Sequence, residues 1–263
     1  MSVAPLDMPV APAPRMLFMQ SRSLLLSYAR VPAFSVTSLV LPVMFWLFFG
    51  LPYAHQTIKG GVSAGAYILC SFAAYAVSSM MVFNFGIGVA TQRGQKTDLL
   101  QRATPLPAWI SITATIVNAL LFALVSVLLL ILFAGLTGGV WLTAGTYLSL
   151  IGRVLLGSLP MIGLGMAIGY SAGPNAAPAI TNLIYLPMAF ASGLFVPAEN
   201  LPDIVQKVTV YLPLYHYGQL AWDTVGGAGE PMWKAVAALV VWAVILFALA
   251  IRAYRLDQTR KFS

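Results

Sequence analysis

Few side chains in this sequence could carry out acid–base, nucleophilic or metal chemistry. Such chemistry needs several Asp, Glu, His or Cys side chains that converge on one point. The chain of 263 residues has 7 acidic residues, 2 histidines and 1 cysteine, and every acidic residue falls outside the apolar segments. His55 and His216 lack a nearby ligand pattern, so neither predicts a metal site. Cys70 lies in an apolar run and has no second cysteine for a disulfide.

Three polar residues inside apolar segments are candidates for a pathway. Arg153 is the basic residue in the fourth apolar segment, and an ionisable residue at membrane depth indicates a functional site by default. It either contacts a substrate or gate, or extends its charge to the membrane surface as a structural side chain. Asn84 and Asn182 either face a pathway or form hydrogen bonds between helices. Asp223 and Glu230 are predicted to be solvated charges.

The composition predicts that the helices carrying these candidate pathway residues lie in a membrane. Hydrophobic residues make up 60% of the chain and charged residues 8%, against roughly 25% charged in a soluble domain. The mean hydropathy is +0.87. So few charges could not cover a soluble surface of this size, which excludes a soluble enzyme, a nucleic-acid-binding domain and a disordered chain. We therefore expect the chain to be surrounded by membrane lipid. We do not expect it to bind nucleic acid.

Six apolar segments have roughly the 17–25 residues that a membrane crossing needs. The sequence therefore predicts an all-α membrane protein with six transmembrane helices and no soluble domain. Pro42 and Pro187 lie inside segments and should kink them. The predicted spans are 33–53, 65–90, 108–134, 146–171, 178–196 and 234–251.

The two ends of the chain flank a membrane domain at 32–255. Residues 1–14 are rich in Pro and Ala and predict a flexible tail, and 256–263 predict a second tail. Residues 15–31 predict a helix lying along the membrane surface, since Arg15, Arg22 and Arg30 fall on one side of it. An extension of the first span is the alternative.

Lysine and arginine counts predict the orientation, because basic residues concentrate on the cytoplasmic side. With six spans and a cytoplasmic N-terminus, both tails lie in the cytoplasm. The predicted cytoplasmic side then holds Arg15, Arg22, Arg30, Arg93, Lys96, Arg102, Arg252, Arg255, Arg260 and Lys261. The outer side holds only Lys59, Arg153, Lys207 and Lys234. The net charge of +7 thus falls on the cytoplasmic face.

Two connections between spans carry distinctive patterns. Residues 91–109 begin polar and basic and end in Pro-x-Pro. A short helix there would hold Leu99 and Leu100 against a partner or the membrane, although an ordinary basic loop that fixes orientation fits the composition too. Residues 191–216 are interrupted by prolines. They predict short outer helices, and a re-entrant pair and a simple external loop fit this pattern equally.

At these two connections the chain resembles the permease subunits of type-2 ABC (ATP-binding cassette) transporters, a family of bacterial drug, lipid and polysaccharide exporters. The first motif is Arg93-Gly-Gln-Lys-Thr-Asp-Leu-Leu-Gln-Arg-Ala-Thr-Pro-Leu-Pro107. The others are Ser192-Gly-Leu-Phe-Val-Pro197, Glu199-Asn-Leu-Pro202 and Pro213-Leu-Tyr-His-Tyr217. The similarity covers about residues 15–255 and includes the order of six spans.

The resemblance implies roles for these residues. The interfacial helix and the cytoplasmic connection would contact an ATPase subunit, with coupling through Arg93, Lys96, Thr97, Asp98, Leu99, Leu100 and Arg102. A re-entrant outer gate would include Gly193, Phe195, Pro197, Glu199, Pro202, Pro213 and Tyr215. Many relatives carry a glutamate just before the first arginine of the connection, where this chain has Gln92. An ion pair from that position is therefore not expected here.

The chain contains no Gly-x-x-x-x-Gly-Lys-Ser/Thr motif for phosphate binding. The resemblance therefore implies that ATP and Mg²⁺ bind to a separate ATP-binding cassette subunit and that this chain itself holds no cofactor. It also implies a permease homodimer in a bacterial inner membrane. Two competing functions, an intramembrane enzyme and a secondary transporter without an ATPase, would need carboxylates or other reactive groups within the spans.

Overall fold

Helices make up most of the part of the chain that the structure describes. A computed structural model describes residues 12–29, 32–58, 60–95 and 107–261, and 82% of it is helical. Within those ranges extended backbone pairs only in an isolated bridge between Thr57 and Ser63. The α-helices are α1 (Ala13–Ala29), α2 (Pro32–Phe45), α3 (Ala64–Gly94), α4 (Ala108–Gly138), α5 (Ala144–Leu156), α6 (Leu159–Ser171), α7 (Ala177–Ala191), α8 (Asp203–Thr209), α9 (Pro213–Trp222) and α10 (Met232–Lys261).

Capping side chains fix the starts of two of the long helices. The Ser63 hydroxyl accepts a hydrogen bond from the amide of Ala66 at 3.3 Å and begins α3. The Thr143 hydroxyl accepts one from the amide of Thr146 at 3.3 Å and begins α5. Each cap satisfies an amide that has no partner within its helix. The polar residues before these apolar runs therefore decide where each helix begins.

Helix α3 is the centre of the bundle and packs against α2, α4, α5, α6, α7 and α9. In its most apolar stretch 78% of the residues are buried, against 33% for α4 and 22% for α10. Glycines on α6 allow the backbones of α6 and α3 to approach each other closely. A Cβ at Gly165 would lie 2.8 Å from the carbonyl oxygen of Val82, and one at Gly169 would lie 2.7 Å from that of Phe85. Small residues at such spacing bring membrane helices together.

Four helical stretches are long and apolar enough to cross a membrane: Ala64–Gly94, Trp109–Gly138, Ala144–Ser171 and Met232–Gln258. Two shorter apolar stretches, Leu39–Tyr53 and Ala177–Ala191, lie where the first and fifth spans are predicted. After Pro42, the first continues beyond α2 as a π-helical turn at Trp46–Gly50 and a 3₁₀ turn at Leu51–Tyr53. Pro187 lies inside α7.

The predicted fourth span, 146–171, is not one continuous helix. It consists of α5 and α6, which are separated at Gly157 and Ser158. Pro160 follows this break, and its nitrogen has no hydrogen to donate to the carbonyl of Leu156. The chain therefore interrupts the helix just before the proline.

The ends of the described chain are helical. Helix α1 packs against α4 and exposes Arg15 and Arg22, whereas Arg30 lies outside the described residues. At the other end α10 continues to Lys261, where the sequence predicts a tail from residue 256. The predicted N-terminal tail is described only from Pro12 onward.

Two glycine substitutions test the close packing of α3 and α6. Gly169→Ala places a methyl group 2.7 Å from the Phe85 carbonyl oxygen, so we expect destabilisation by about 1–3 kcal/mol. Unfolding can be followed with a thiol-reactive fluorogenic dye, because the single cysteine, Cys70, is fully buried. The control is Gly152→Ala, since a Cβ there meets nothing within 4 Å. Equal melting temperatures for both variants would contradict this packing.

Candidate functional site

A short helix, α9, is buried inside the bundle although it is too short to span a membrane. It packs against α3, α5 and α10. Four of its ten residues, Leu214, Tyr217, Ala221 and Trp222, are each at most 1% exposed. Pro213 occupies its first turn, where the missing amide hydrogen costs nothing. The surrounding spans therefore hold α9 on several sides.

Hydrogen bonds from two aromatic side chains anchor α9. The indole Nε1 of Trp222 donates to the Ser71 hydroxyl on α3 at 2.8 Å. The Tyr217 hydroxyl donates to the carbonyl oxygen of Val154 on α5 at 2.6 Å. The Trp222 ring also stacks on Tyr67 at a centroid distance of 5.0 Å. A buried aromatic residue with a polar group normally finds such a partner.

The break between α5 and α6 makes the bond to Tyr217 available. In an unbroken helix the amide of Ser158 would donate to the carbonyl of Val154, but here it donates to Leu155 at 3.4 Å. The freed Val154 carbonyl accepts from Tyr217 instead. Gly157 gives α9 room at this point, because a Cβ there would lie 3.1 Å from the Tyr217 ring. The break before Pro160 thus positions α9 through the Val154 carbonyl that the Ser158 amide no longer reaches.

Two contacts between a basic and an acidic side chain lie beside α9. Arg153 is not alone in its span, since its guanidinium lies 2.5 Å from the carboxylate of Asp223. Glu230 lies 2.7 Å from Nδ1 of His216, and both side chains are at most 17% exposed. Of the two predicted solvated charges, Asp223 is 37% exposed and Glu230 only 17%, and each lies next to a basic side chain. In a chain with so few charges, those near the membrane gain from pairing.

The turn after α7 places Phe195 in a cluster of aromatic rings. Gly193 has a φ of +85°, which residues with a side chain rarely adopt. This turn directs Phe195 back into the bundle, where it is 9% exposed. Its ring packs against those of Phe190, Phe45, Tyr75, Phe72 and Phe49 at centroid distances of 4.2, 5.1, 5.1, 5.8 and 6.3 Å.

The other residues of the predicted outer gate lie along the surface between this cluster and α9. Pro197 precedes a 3₁₀ turn at Ala198–Asn200, which contains the exposed Glu199. Pro202 precedes α8 and is exposed. Tyr215 is half-buried on α9, and burial, followed by the Glu230 charge, raises the pKa of its phenol. The predicted gate residues are thus divided between a buried part and an exposed turn.

At the opposite end of α3, Arg93 joins three helices. Its guanidinium forms an ion pair with Asp257 of α10 and donates hydrogen bonds to the carbonyls of Gly169 and Ala172 at the end of α6, at 2.7 and 3.1 Å. A cation at the carboxyl end of a helix also interacts favourably with the helix dipole. We call Arg93, Asp257, Gly169 and Ala172 the Arg93 cluster. The side chains of Arg93 and Asp257 are 20% and 9% exposed.

The structure does not bring all predicted site residues together. Lys96, Thr97, Asp98, Leu99, Leu100 and Arg102 lie outside the described residues, immediately after the Arg93 cluster. Asn84 is buried on α3 at 6% exposure. Asn182 is exposed on α7, and its side chain donates to the Pro178 carbonyl on the same helix at 2.9 Å. Arg153 lies beside α9, far along the bundle from the Arg93 cluster.

The sequence pointed to Arg93 and Arg153 as candidate functional residues but did not predict the acidic residues that pair with them. Asp257 and Asp223 pair with Arg93 and Arg153 across about 164 and 70 residues of sequence. The scarcity of charge was the available signal, since a carboxylate at the edge of an apolar helix is expected to have a basic neighbour. Which neighbour it has depends on helix packing. Within the described ranges, no group of three or more His, Cys, Asp and Glu residues could hold a metal ion.

Comparison with known proteins gives two matches. The model of a protein family described as "ABC-2 family transporter protein" matches residues 51–252, a range that includes α9, Phe195 and Arg93 but ends before Asp257. The chain is also similar to "Putative transport permease YvfS" of Bacillus subtilis (strain 168). The two are 27% identical over 223 residues, which cover 82% of this chain and 88% of the relative.

Removal of one hydroxyl tests how α9 is anchored. Tyr217→Phe leaves the buried carbonyl of Val154 without its donor, so we expect a loss of about 1–3 kcal/mol in stability. The Cys70 dye measurement gives the melting temperature. The matched control is Tyr211→Phe, because Tyr211 is 72% exposed just before α9. If the two variants melt alike, the Tyr217 hydroxyl does not hold α9 in place.

Proposed function

The chain belongs to the ABC-2 family of transporter proteins, and from that premise we propose that it is the membrane-spanning permease subunit of an ATP-driven exporter. The observation that carries this proposal is the family match over residues 51–252, which includes both connections that sequence reasoning selected. The family and the similar transport permease identify a transport protein rather than an enzyme. Its apolar helices make it a multi-pass membrane protein.

We propose six crossings with both termini in the cytoplasm of a bacterial cell. The four long apolar stretches provide four crossings, and the two shorter ones, Leu39–Tyr53 and Ala177–Ala191, provide the others. A short span is accommodated by local thinning of the bilayer. The excess of lysine and arginine at the Gly94 end of α3 and the end of α10 supports this orientation. Helix α1 then lies at the cytoplasmic surface.

The coupling role of residues 93–102 is supported by their position next to the Arg93 cluster. ATP-binding subunits of this family change their spacing when they bind and release nucleotide, and a connection that contacts them would be displaced. Because Arg93 bonds to α6 and α10 as well as belonging to α3, a displacement of 96–102 would reach three spans together.

Helix α9 and the aromatic cluster are our candidate for the outer gate. In this arrangement α8 and α9 enter the outer half of the bundle as a re-entrant pair, in which buried backbone is satisfied by bonds such as Tyr217 to Val154. Phe195 would close the pathway with the neighbouring rings, and Arg153 would hold α9 through Asp223. Asn84 and Asn182 remain candidates for contact with the transported molecule.

ATP and Mg²⁺ would bind to a separate ATP-binding cassette subunit, since this chain has no phosphate-binding loop. Two permease chains facing each other would enclose the pathway, and two ATPase subunits would bind to their cytoplasmic side. Nucleotide binding then favours one of two permease states because the ATPase pair interacts differently with each.

Disruption of the cytoplasmic connection tests the coupling assignment. In the triple variant Lys96→Glu, Leu99→Ala, Leu100→Ala, we expect loss of co-purification with the proposed ATP-binding subunit, because both the charge and the apolar contact are removed. The matched control is Lys207→Glu with Val208→Ala, an exposed pair on α8. A triple variant that keeps both assembly and the ATP hydrolysis rate of the complex would exclude this role.

The two arginine–aspartate pairs provide a second comparison. Asp257→Leu leaves the largely buried Arg93 guanidinium without its carboxylate, at an expected cost of about 3–5 kcal/mol. Asp223→Leu affects a pair whose side chains are 28% and 37% exposed, so its cost should stay below about 1 kcal/mol.

The double variant Arg93→Leu, Asp257→Leu separates stability from coupling. Apolar side chains in both positions should restore part of the stability lost in Asp257→Leu. If the Arg93 cluster transmits motion, ATP hydrolysis by the assembled complex should stay uncoupled from transport in the double variant even though it folds. A double variant with wild-type coupling would show that the cluster has a structural role alone.

A further inference from the structure

The exposed face of α10 changes from apolar to basic near its carboxyl end. Val241, Val244, Ile245 and Ile251 are between 42% and 66% exposed, and their spacing places them along one side of the helix. The next residues on that side are Arg252 and Arg255, both exposed. The 20 residues from Met232 to Ile251 rise about 30 Å, which equals the thickness of the hydrocarbon core. Arg252 therefore lies where the helix leaves the membrane.

The two arginines line a shallow groove together with apolar side chains. The groove has a volume of about 400 Å³ and is bounded by Ala248, Ile251, Arg252, Arg255 and Leu256. These residues follow the spacing of a single helix face, so the guanidinium groups lie one turn apart with an apolar strip leading to them. The groove combines a positive end and an apolar wall.

No carboxylate among the described residues neutralises this end of the helix. Asp257 is the acidic residue on α10, but it is 9% exposed on another side of the helix and pairs with Arg93. The ion pairs recorded in the described ranges involve Arg93, Arg153 and His216. The charge of Arg252 and Arg255 is therefore available to a ligand from outside the chain.

We propose that this groove binds the headgroup of an anionic phospholipid, with the phosphate between Arg252 and Arg255 and an acyl chain along Ile251 and Ala248. The charge of the groove selects the anionic headgroup, and its continuity with the lipid-length apolar face of α10 selects a lipid over a soluble anion. The site depends neither on the direction of transport nor on the ATPase partner. Asp257 lies on the same helical turns of α10 as Arg252 and Arg255, although it faces another side. A lipid bound to these turns would therefore also stabilise the position of Asp257 in the Arg93 cluster.

Titration with lipids tests this site. The intact protein in detergent is titrated with dioleoyl phosphatidylglycerol or dioleoyl phosphatidylcholine, and bound lipid is counted by native mass spectrometry. We expect preferential binding of phosphatidylglycerol. A basic residue near an anionic lipid surface contributes about five-fold in affinity, so Arg252→Gln, Arg255→Gln should weaken phosphatidylglycerol binding about 25-fold and leave phosphatidylcholine binding unchanged.

Two further variants serve as controls. Lys234→Gln removes an exposed cation at the opposite end of the same helix and should leave the affinity for phosphatidylglycerol within two-fold. Arg252→Lys, Arg255→Lys keeps both charges and should retain most of the binding, while the Cys70 dye measurement confirms that each variant is folded.

Three results would overturn the proposal. The first is equal affinity of the wild-type protein for the two lipids, and the second is unchanged phosphatidylglycerol binding in the glutamine double variant. The third is a double variant that keeps its lipid but loses either the ATP-binding subunit or its oligomeric state, since the groove would then be a protein interface.

Discussion

A backbone carbonyl without a helical donor determines how the part of the bundle around α9 is arranged. Pro160 cannot donate to the turn before it, so α5 ends and α6 begins across Gly157 and Ser158. In a membrane there is no water to satisfy the carbonyl that is freed at Val154. Tyr217 satisfies it, and this bond requires α9 to lie inside the bundle. The buried position of α9 in turn brings Asp223 to Arg153 and Trp222 to Tyr67 and Ser71.

A second constraint is the shortage of charge. With 14 basic and 7 acidic residues in 263, an unpaired charge beside a span would be costly. Arg93, Arg153 and His216 each meet a carboxylate that comes from another helix or loop. The two arginine pairs connect elements that are distant in sequence, one pair at each end of the bundle. The pairs thus mark the places where movement of one element must be accompanied by movement of another.

Helix α6 links these features. Its glycines lie against α3 on one side, and a Cβ at Gly163 would lie 3.1 Å from the backbone of α10 on the other. Its carboxyl end is held by Arg93, and its amino end begins at the break that anchors α9. A transporter that couples events on two sides of a membrane needs such a continuous, tightly packed element between them. Within the proposed function, α6 provides it.

The sequence by itself determined that the chain lies in a membrane, that it is helical and which family it belongs to. Composition and hydropathy follow from single residues, and the motifs around Arg93 and Ser192–Tyr217 are local, so none of them needs a fold to be recognised. Capping residues such as Ser63 also have short-range effects. The predicted positions of the apolar segments accordingly agree with the helices, although Pro160 was not recognised as a break in the fourth.

Only the tertiary structure decided which polar groups meet. Asp257 is near Arg93 because α3 and α10 pack on opposite sides of α6, and Asp223 is near Arg153 because α9 is buried against α5. Phe195 enters a ring cluster drawn from α2, its following turn, α3 and α7. Such contacts depend on the relative rotation and depth of whole helices. Hydropathy is averaged over a segment and carries no information about either, so the sequence supplied the candidates and the packing supplied their partners.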